Sequence, residues 1–440
     1  MRDVVVVGGG LSGLLVGAEL KRRGLNPRVL EGRNRSGGVA STVREDHFLL
    51  EPAAGSILLP HPDLSPIFDA AGVPFIPARD EARMRFVFDR ETLFEVPESP
   101  KFLLTGLASW PAKFRAAREP WVRTPAPDGE ESLLDFFTRR FGVGVGTLGA
   151  NLMAHGVFAG DPSSLSIQAA FPKLPGFEAA AGSVIKGGLR SRKARPKGTP
   201  RPSVHVPRDG MADVADKLAG YIGDRYLTNS PVHAVTRDGD RWKVEWAGGA
   251  ESADAVVVAL APADAAQIVP DPLTDLLAGR IVAQVVVVGL GGPAGSFGLP
   301  SGFGALTGPE SGIRALGILF ESQYAPGRAP EGHHLAKGIY GGAADPEITQ
   351  RSDDEIAEVM REELSRIVGK NVEPSWTRVL RSSIPQYPIG HASWMDRVDD
   401  LLADLPGLHL AGWGYRGIGI SSLGADASRI ASTLAPGTAR

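Results

Sequence analysis

The 440-residue chain contains no cysteine. Disulfides, thiolate nucleophiles, cysteine-ligated zinc and iron–sulfur clusters are thereby excluded. Its nine histidines are scattered without a His-x-x-x-His pair, and the adjacent His333 and His334 point to different sides of a strand or helix. No metal site is expected. No apolar run reaches the roughly 18 residues of a membrane-spanning helix. The short run Val4–Val7 leads straight into glycine, with no signal-peptide cleavage pattern, so a cytoplasmic protein is the expectation. A formal charge of −3 gives no basic field for nucleic acid, and none is expected as a partner. Aromatic residues are sparse at 7%, yet 43% of the chain is hydrophobic, enough for a globular core and two or three domains.

What is present starts at the first strand. Val4–Val7 is a continuous β-branched run, the pattern of a strand buried on both faces of a parallel sheet. Gly8-Gly9-Gly10-Leu11-Ser12-Gly13 follows, a G-x-G-x-x-G that opens a helix expected over Leu11–Arg23 and ended by Gly24. Arg28-Val29-Leu30-Glu31 is a second strand, completing a right-handed βαβ unit. Gly8 permits the tight turn, Gly10 lets backbone approach a pyrophosphate, and Gly13 lets helix and strand close together. Leu11 and Ser12 then stand at the positive end of the helix dipole, where the diphosphate sits. Glu31, about 20 residues on, is placed to accept both ribose hydroxyls and to repel a 2′-phosphate, which disfavours NADP.

That unit alone suits NAD or FAD. After Glu31 the chain reads Gly32-Arg33-Asn34-Arg35-Ser36-Gly37-Gly38-Val39, which resembles the extension by which FAD oxidases meet the diphosphate again. The alternating helices and strands of an NAD domain do not follow. Far downstream, Leu408–Gly412 reads as a strand ending in glycine, with Trp413, then Tyr415-Arg416-Gly417-Ile418-Gly419-Ile420 and a helix over Ala425–Ala431. This resembles the segment that closes over the ribityl chain and isoalloxazine in the FAD superfamily. FAD is the expected cofactor, with Gly412, Trp413, Ile418, Gly419 and Ile420 at its flavin end. A second glycine run, Gly289-Leu290-Gly291-Gly292 behind Val285–Val288, mimics the first. Pro293 and the Gly/Pro-rich stretch to Gly304 predict no helix behind it, so it reads as a sheet strand with a turn.

The middle of the chain, Lys101–Glu178, reads as helical, with pieces at Glu130–Phe141 and Thr147–Gly156. Strands are expected at Arg241–Trp246, Asp254–Leu260, Ile281–Gly289 and His334–Tyr340. Ser352 to Glu355 is a capping box for a helix with the apolar stripe Ile356, Val359, Met360, Leu364 and Ile367. The stretch Lys186–Arg208, rich in Pro, Arg and Lys, reads as an exposed linker or as a contact for acidic substrate or lipid.

Gly156-Val157-Phe158-Ala159-Gly160-Asp161-Pro162-Ser163-Ser164-Leu165-Ser166, running on to Pro172, resembles the signature of the protoporphyrinogen oxidase family. Gly182–Ile185, Ile384–His391 and Leu410–Ile420 extend the resemblance in family order along the chain, whereas amine oxidases and carotenoid desaturases share only the FAD pieces. The resemblance implies an α/β fold of the amine-oxidase/p-hydroxybenzoate-hydroxylase-like superfamily. In it, residues 1–80, 209–267 and 404–440 form a Rossmann-type FAD-binding domain. Residues 81–97, 188–208 and 268–403 form a mixed-sheet substrate-binding domain, and 98–187 an inserted helical domain. It implies oxidation of protoporphyrinogen IX to protoporphyrin IX in three two-electron steps of haem biosynthesis, with molecular oxygen as acceptor. No side-chain base is expected, so the protein's share is positioning and exclusion of water.

Residue by residue, the resemblance gives Arg85 to a substrate propionate, for which a planar guanidinium is suited; Arg83 and Arg90 compete for that role. Gly156 matches the glycine whose carbonyl faces the pyrrole N–H groups. Leu306 and Leu319 match a pair that sandwiches a porphyrinogen ring, and Ile339 a stacking position. Val232 matches the residue that reads the adenine, and Ala54 and Gly55 lie in a loose version of a flavin-side loop, Glu51–Gly55. Trp413-Gly414 and Ser421-Ser422-Leu423 depart from the family pattern. A homodimer and peripheral contact with the inner face of the cell membrane are further expectations. For the membrane, Phe102, Leu103, Leu104, Leu107 and Trp110 with Lys113, Arg115 and Arg118 could form an amphipathic surface; a helix packed over the substrate channel is the alternative. Three other functions stay open. A coproporphyrinogen III oxidase must meet four carboxylates, for which the basic stretch Lys186–Arg201 is available. An amine oxidase or desaturase is the second. The third is a flavin protein that does not turn over, suggested by Trp413.

Overall fold

The computed structural model of the chain describes residues 3–97, 105–196, 198 and 200–435. Val4–Val7 is the middle strand of a five-stranded parallel sheet, between Arg28–Leu30 and Ala255–Val258, with Tyr226–Leu227 and Leu408–Leu410 at the edges. All four valines are buried because both faces are covered. Val4 and Val6 pack with the helices Leu11–Arg22, Met211–Ile222 and Ile420–Leu434. Val5 and Val7 pack with Trp242, Val244, Trp394 and Val398. These come from an antiparallel sheet (Val232–Asp238, Arg241–Trp246, Gly249–Ala253) and the helix His391–Ala403.

A second, seven-stranded sheet runs in the order Trp376–Pro385, Val282–Pro293, His333–Gly341, Gly317–Leu319, Gly304–Thr307, Met84–Asp89, Thr92–Pro97. It is mixed, since Gly304–Thr307 lies parallel to Met84–Asp89 and the other pairs are antiparallel. One face packs on the helix Asp353–Val368, which carries the expected capping box between Ser352 and Glu355. Its Ile356, Met360, Leu364 and Ile367 meet Phe86, Phe88, Val286, Val288, Ile318 and Tyr340.

Two expectations are corrected here. The second glycine run forms no turn. It lies inside the unbroken strand Val282–Pro293, and a single helical turn, Ala294–Phe297, follows it. The reason is packing against rings and a leucine. A Cβ on Gly291 would lie 2.5 Å from Phe48, one on Gly292 2.6 Å from Phe297, and one on Gly289 2.7 Å from Leu50. The basic stretch is no linker at its start either. Val184–Ala194 is a helix capped by the Ser183 hydroxyl, so the expected division at 187/188 falls inside it. A Cβ on Gly187 would meet Phe177 at 2.4 to 2.6 Å, which is how closely this helix crosses Lys173–Ala181.

The helical segment also contains Trp110–Ala117, Leu133–Phe141 and Val143–Met153, the last running into a wide turn, Ala154–Phe158. Leu133–Phe141 starts later than its sequence suggests because the Ser132 hydroxyl accepts the Asp135 N–H as its cap. A buried ion cluster ties the segment together. The Arg140 guanidinium bonds Glu119 at 2.8 Å and Glu178 at 3.0 Å, and Glu119 also accepts the Ser183 hydroxyl. Burial alone would raise the Glu119 carboxyl, but these hydrogen bonds and those from the Val184 and Ile185 amides hold it below its usual range. Among the described residues, no helix is long and apolar enough to cross a membrane.

Candidate functional site

The glycine turn joins the end of Val4–Val7 to the helix Leu11–Arg22. Gly8 takes φ +104°, open to glycine, and its N–H donates to the Leu30 carbonyl at 2.8 Å. A Cβ on Gly13 would lie 1.9 Å from the Gly8 oxygen, so only glycine lets helix and turn meet. Gly10 precedes the helix with extended backbone, and among the described residues no side chain caps this end and no acid stands in its first turn. A Cβ on Gly10 would have no described atom within 4 Å. Buried Leu11 and half-buried Ser12 open the helix there.

Glu31 is 8% exposed, and its two oxygens accept the Gly9 N–H at 2.7 Å and the Arg33 N–H at 2.8 Å. The second glycine pair folds back onto the first. The Gly37 N–H donates to the Gly9 carbonyl at 2.9 Å, Gly10 and Gly37 form a parallel bridge, and a Cβ on Gly38 would lie 3.2 Å from the Gly10 Cα. Arg33 and Val39 are exposed beside it. Gly32 lies against Pro231, and the Asn229 and Ser230 amides donate to the Arg33 and Glu31 carbonyls, which brings Val232 to the same end.

Tyr226 was not foreseen. Its hydroxyl reaches the same corner, 2.8 Å from where a Gly9 Cβ would be, and is buried without a hydrogen-bond partner among the described residues. Burial, then the Glu31 charge, pushes its pKa up. An uncapped helix N-terminus, bare space over Gly10 and an orphaned buried hydroxyl together fit a dinucleotide diphosphate with its adenosine.

At the far end of the chain, Gly412, Gly417 and Gly419 take φ of +128°, +114° and +100°. A Cβ on Gly412 would lie 3.5 Å from the Ser12 hydroxyl, so this segment passes the start of the first helix. Gly419 opens the helix Ile420–Leu434, and among the described residues no side chain caps it. The Trp413 indole N–H donates to the Gly419 carbonyl at 3.2 Å, and half-buried Ile418 packs toward the helical segment. The loop holding exposed Ala54 and buried Gly55 is clamped to the seven-stranded sheet. The Arg328 guanidinium donates to the Gly55 carbonyl at 3.3 Å, and the Lys337 ammonium lies 3.5 Å from that of Ala53. Lys337 in turn pairs with Glu321 at 2.8 Å, and Arg328 faces Glu51 at 3.6 Å. Burial, the largest cause, raises the Glu51 carboxyl in spite of Arg328. The sequence signal for this clamp is a lone lysine in the apolar strand Leu335-Ala336-Lys337-Gly338-Ile339.

Arg85, Leu306, Leu319 and Ile339 all lie on the face of the seven-stranded sheet turned away from the helix Asp353–Val368, because their neighbours Phe86, Ala305, Ile318 and Tyr340 take the other. Leu306 pairs with Gly317 and Gly317 with Ile339, placing the two large side chains across a bare glycine. A Cβ on Gly156, in the wide turn Ala154–Phe158, would lie 3.4 Å from both δ-carbons of Leu306. Ile339 packs near Ala159 of the following residues. Gly156, Leu306 and Ile339 thus converge. Arg85 and Leu319 stand to one side, with the Arg85 guanidinium 5.7 Å from the Phe303 ring centre and Leu319 in the cluster of Phe303 and Tyr324. Arg83 and Arg90 are engaged elsewhere, with Asp80 at 3.3 Å and Asp89 at 3.1 Å.

Residues 11–418 match the model of the family of flavin containing amine oxidoreductases. The chain belongs to that family. It is an FAD-dependent oxidoreductase. Protoporphyrinogen oxidase 1 of Spinacia oleracea is 30% identical to it over 91% of this chain and 78% of that protein. Coproporphyrinogen III oxidase of Bacillus subtilis is 26% identical, with 95% of each covered. A solved structure from Exiguobacterium sp. 255-15, provisionally assigned as a protoporphyrinogen oxidase, superposes with a TM-score of 0.81 at 23% identity, covering 99% of this chain and 98% of that one.

Two outcomes follow. Gly10→Ala meets no described atom within 4 Å, so the apo chain should unfold at the wild-type urea concentration while FAD affinity falls at least roughly tenfold. Gly13→Ala, clashing with Gly8, should lose both; wild-type FAD affinity in Gly10→Ala would place the diphosphate elsewhere. The second concerns His391. Burial lowers its pKa from 6.5 to about 4, with the Arg280 guanidinium adding to the effect. The unfolded chain binds that proton first, so stability is full above about pH 6.5 and declines toward pH 4, by at most about 1.4 kcal/mol per pH unit. Denaturation series should show a shallower decline for His391→Gln; equal slopes would remove His391 from the linkage.

Proposed function

We propose that the chain oxidises protoporphyrinogen IX to protoporphyrin IX, with oxygen as the final acceptor, in haem biosynthesis. The observation that carries this reading is the convergence of Gly156, Leu306 and Ile339 on an apolar sheet face that also bears Arg85. The name of the Spinacia oleracea relative agrees with it. Bound FAD supplies the two-electron acceptor for a hydride leaving a meso methylene bridge, and oxygen regenerates it with release of hydrogen peroxide. The chain's own part is to bind and orient. Gly8, Gly10, Leu11, Ser12, Gly13, Gly37, Gly38 and Arg33 hold the diphosphate; Glu31 and Val232 take the adenosine. Ala54, Gly55 and the Gly412–Ile420 segment meet the flavin. The Gly156 carbonyl accepts pyrrole N–H groups, the aliphatic residues grip the macrocycle, and Arg85 takes a propionate. Three domains fit this division: a Rossmann unit for FAD, the seven-stranded sheet for substrate, and the helices as cover.

Coproporphyrinogen III is the second reading, favoured by the name of the Bacillus subtilis relative. It carries four carboxylates and needs more cations. On the substrate-side face Lys337 pairs with Glu321 and Arg378 with Glu45, and the name of the Spinacia oleracea relative favours the dicarboxylate. Porphyrin fluorescence under air should therefore rise faster with protoporphyrinogen than with coproporphyrinogen; a reversed preference would change the substrate. Arg85→Ala should raise KM roughly 10- to 100-fold with FAD content intact, the loss of one charge-assisted contact. An unchanged KM would discard that role.

We further propose a cytoplasmic enzyme that rests on the inner face of the cell membrane through its helical segment. Trp110, Phe114 and Trp121 are 60%, 68% and 72% exposed there. Of the basic residues expected on that surface, Arg118 is exposed and the other two are corrected. Lys113 is buried against the Thr105 carbonyl and the Trp110 ring, and Arg115 caps the carbonyls of Arg139 and Arg140. Phe102, Leu103 and Leu104 lie outside the described residues. Binding should then be driven by the aromatic rings and resist salt. Flotation with anionic liposomes in high salt should carry the wild type and leave Trp110→Ser/Phe114→Ser behind; a wild type that never floats would end the membrane proposal.

A further inference from the structure

The segment Ile384–His391 has no part in the binding roles above, yet it is bonded on two sides. Toward the helical segment, the Gln386 side-chain amide donates to the Phe158 carbonyl at 2.7 Å. The Ser166 N–H donates to the Tyr387 carbonyl, and the Ile389 N–H to that of Ser164, both at 2.9 Å. These three bonds reach the residues that carry Gly156 and follow it.

Toward the C-terminal segment, the Tyr387 hydroxyl donates to the Trp413 carbonyl at 2.5 Å and accepts the Gly417 N–H at 2.8 Å. His391 Nε2 lies 2.8 Å from the Tyr415 carbonyl, which can only accept, so Nε2 carries the proton. Nδ1 is then the acceptor for the Arg280 guanidinium at 2.7 Å. The Tyr387 and His391 rings stack with centres 3.9 Å apart, and both residues are buried. The bonded atoms fall at residues 413, 415 and 417, every second residue of a stretch that also contains Gly414, Gly417 and Gly419. Gly417 and Gly419, both at positive φ, leave the backbone of this stretch several courses open. It is held here by two side chains from elsewhere.

We infer that Gln386–His391 is a strap that fixes the spacing between the Trp413–Gly419 segment and the Ala154–Phe158 turn, with the Tyr387 hydroxyl and the His391 imidazole as positioning groups for hydride transfer. The inference rests on the proposed assignment of those two segments to flavin and porphyrinogen. Hydride transfer needs reacting atoms held about 3–3.5 Å apart, and a misplacement of about 1 Å costs up to roughly 100-fold in rate. A loosened strap therefore lowers kcat while leaving substrate affinity in place.

Tyr387→Phe keeps the ring and its stack on His391 but strips both partners from the hydroxyl. In the FAD-loaded full chain it should retain near wild-type FAD content, alter the visible circular dichroism of the bound flavin, and lower kcat about tenfold with KM within about twofold. His391→Leu should reproduce that pattern. His391→Gln, which keeps a donor for the Tyr415 carbonyl, should recover most of the wild-type dichroism and kcat. A Tyr387→Phe enzyme with wild-type dichroism and wild-type kcat would overturn the strap, as would equal behaviour of the Leu and Gln variants at position 391. Should the wild type itself fail to oxidise a porphyrinogen, the substrate reading falls by that result. The dichroism of the three variants still decides whether the strap positions the flavin.

Discussion

The rest of the structure depends on the contact between Gly13 and the Gly8 carbonyl, where an added Cβ would lie 1.9 Å from the oxygen. That approach lets the helix Leu11–Arg22 begin directly over the end of the central strand Val4–Val7, with its first amides unclaimed by any described side chain. An anion is the natural partner for such an end. Two later segments are drawn to the same point. The Gly37–Gly38 pair folds onto Gly9 and Gly10, and Gly412 passes Ser12. The C-terminal helix Ile420–Leu434 packs in the same cluster as the first, so both ends of the chain meet at the cradle proposed for the cofactor.

From that cradle the geometry must reach a second sheet. The connections are polar and buried, which makes them exacting about position. Burial would raise the Glu321 carboxyl, but Lys337 and Arg328 hold it below its usual range. The same two cations donate to carbonyls of the 51–55 loop. Removing one partner would leave a charge stranded in low dielectric, typically a loss of about 3–5 kcal/mol. The cluster therefore ties loop to sheet with little freedom to slide. On the other side, Tyr387 and His391 bind the 413–417 backbone. The apolar face carrying Leu306 and Ile339 is thus referenced to the cofactor cradle by two independent sets of hydrogen bonds.

The βαβ unit was legible in the sequence because its signals are local: a β-branched run, three glycines at fixed spacing and an acid about 20 residues on. The helix Asp353–Val368 was legible for the same reason, its Ser352 and Glu355 being three residues apart. Gly289 and Gly291 misled because glycine signals a turn or a close approach alike, and the Leu50 and Phe48 side chains that decide between them come from a distant segment. The basic stretch misled in a similar way. Arg190 and Lys186 satisfy carbonyls of Ala180 and Pro120, contacts that composition does not reveal. Tyr226, Arg328 and Tyr387 escaped notice as site-forming residues because their partners lie far from them in the chain. Membership in the flavin containing amine oxidoreductase family sets the cofactor; the proposed substrate rests on the convergence of Gly156, Leu306 and Ile339 on the sheet face that bears Arg85.

The most direct test of that proposal isolates the reductive step. FAD-loaded protein is mixed anaerobically with protoporphyrinogen IX, and the flavin absorbance is followed against porphyrin fluorescence. Flavin absorbance should bleach in proportion to substrate oxidised and return when air is admitted. Flavin that stays oxidised under an excess of protoporphyrinogen, in a preparation that sodium dithionite still reduces, would contradict the proposal.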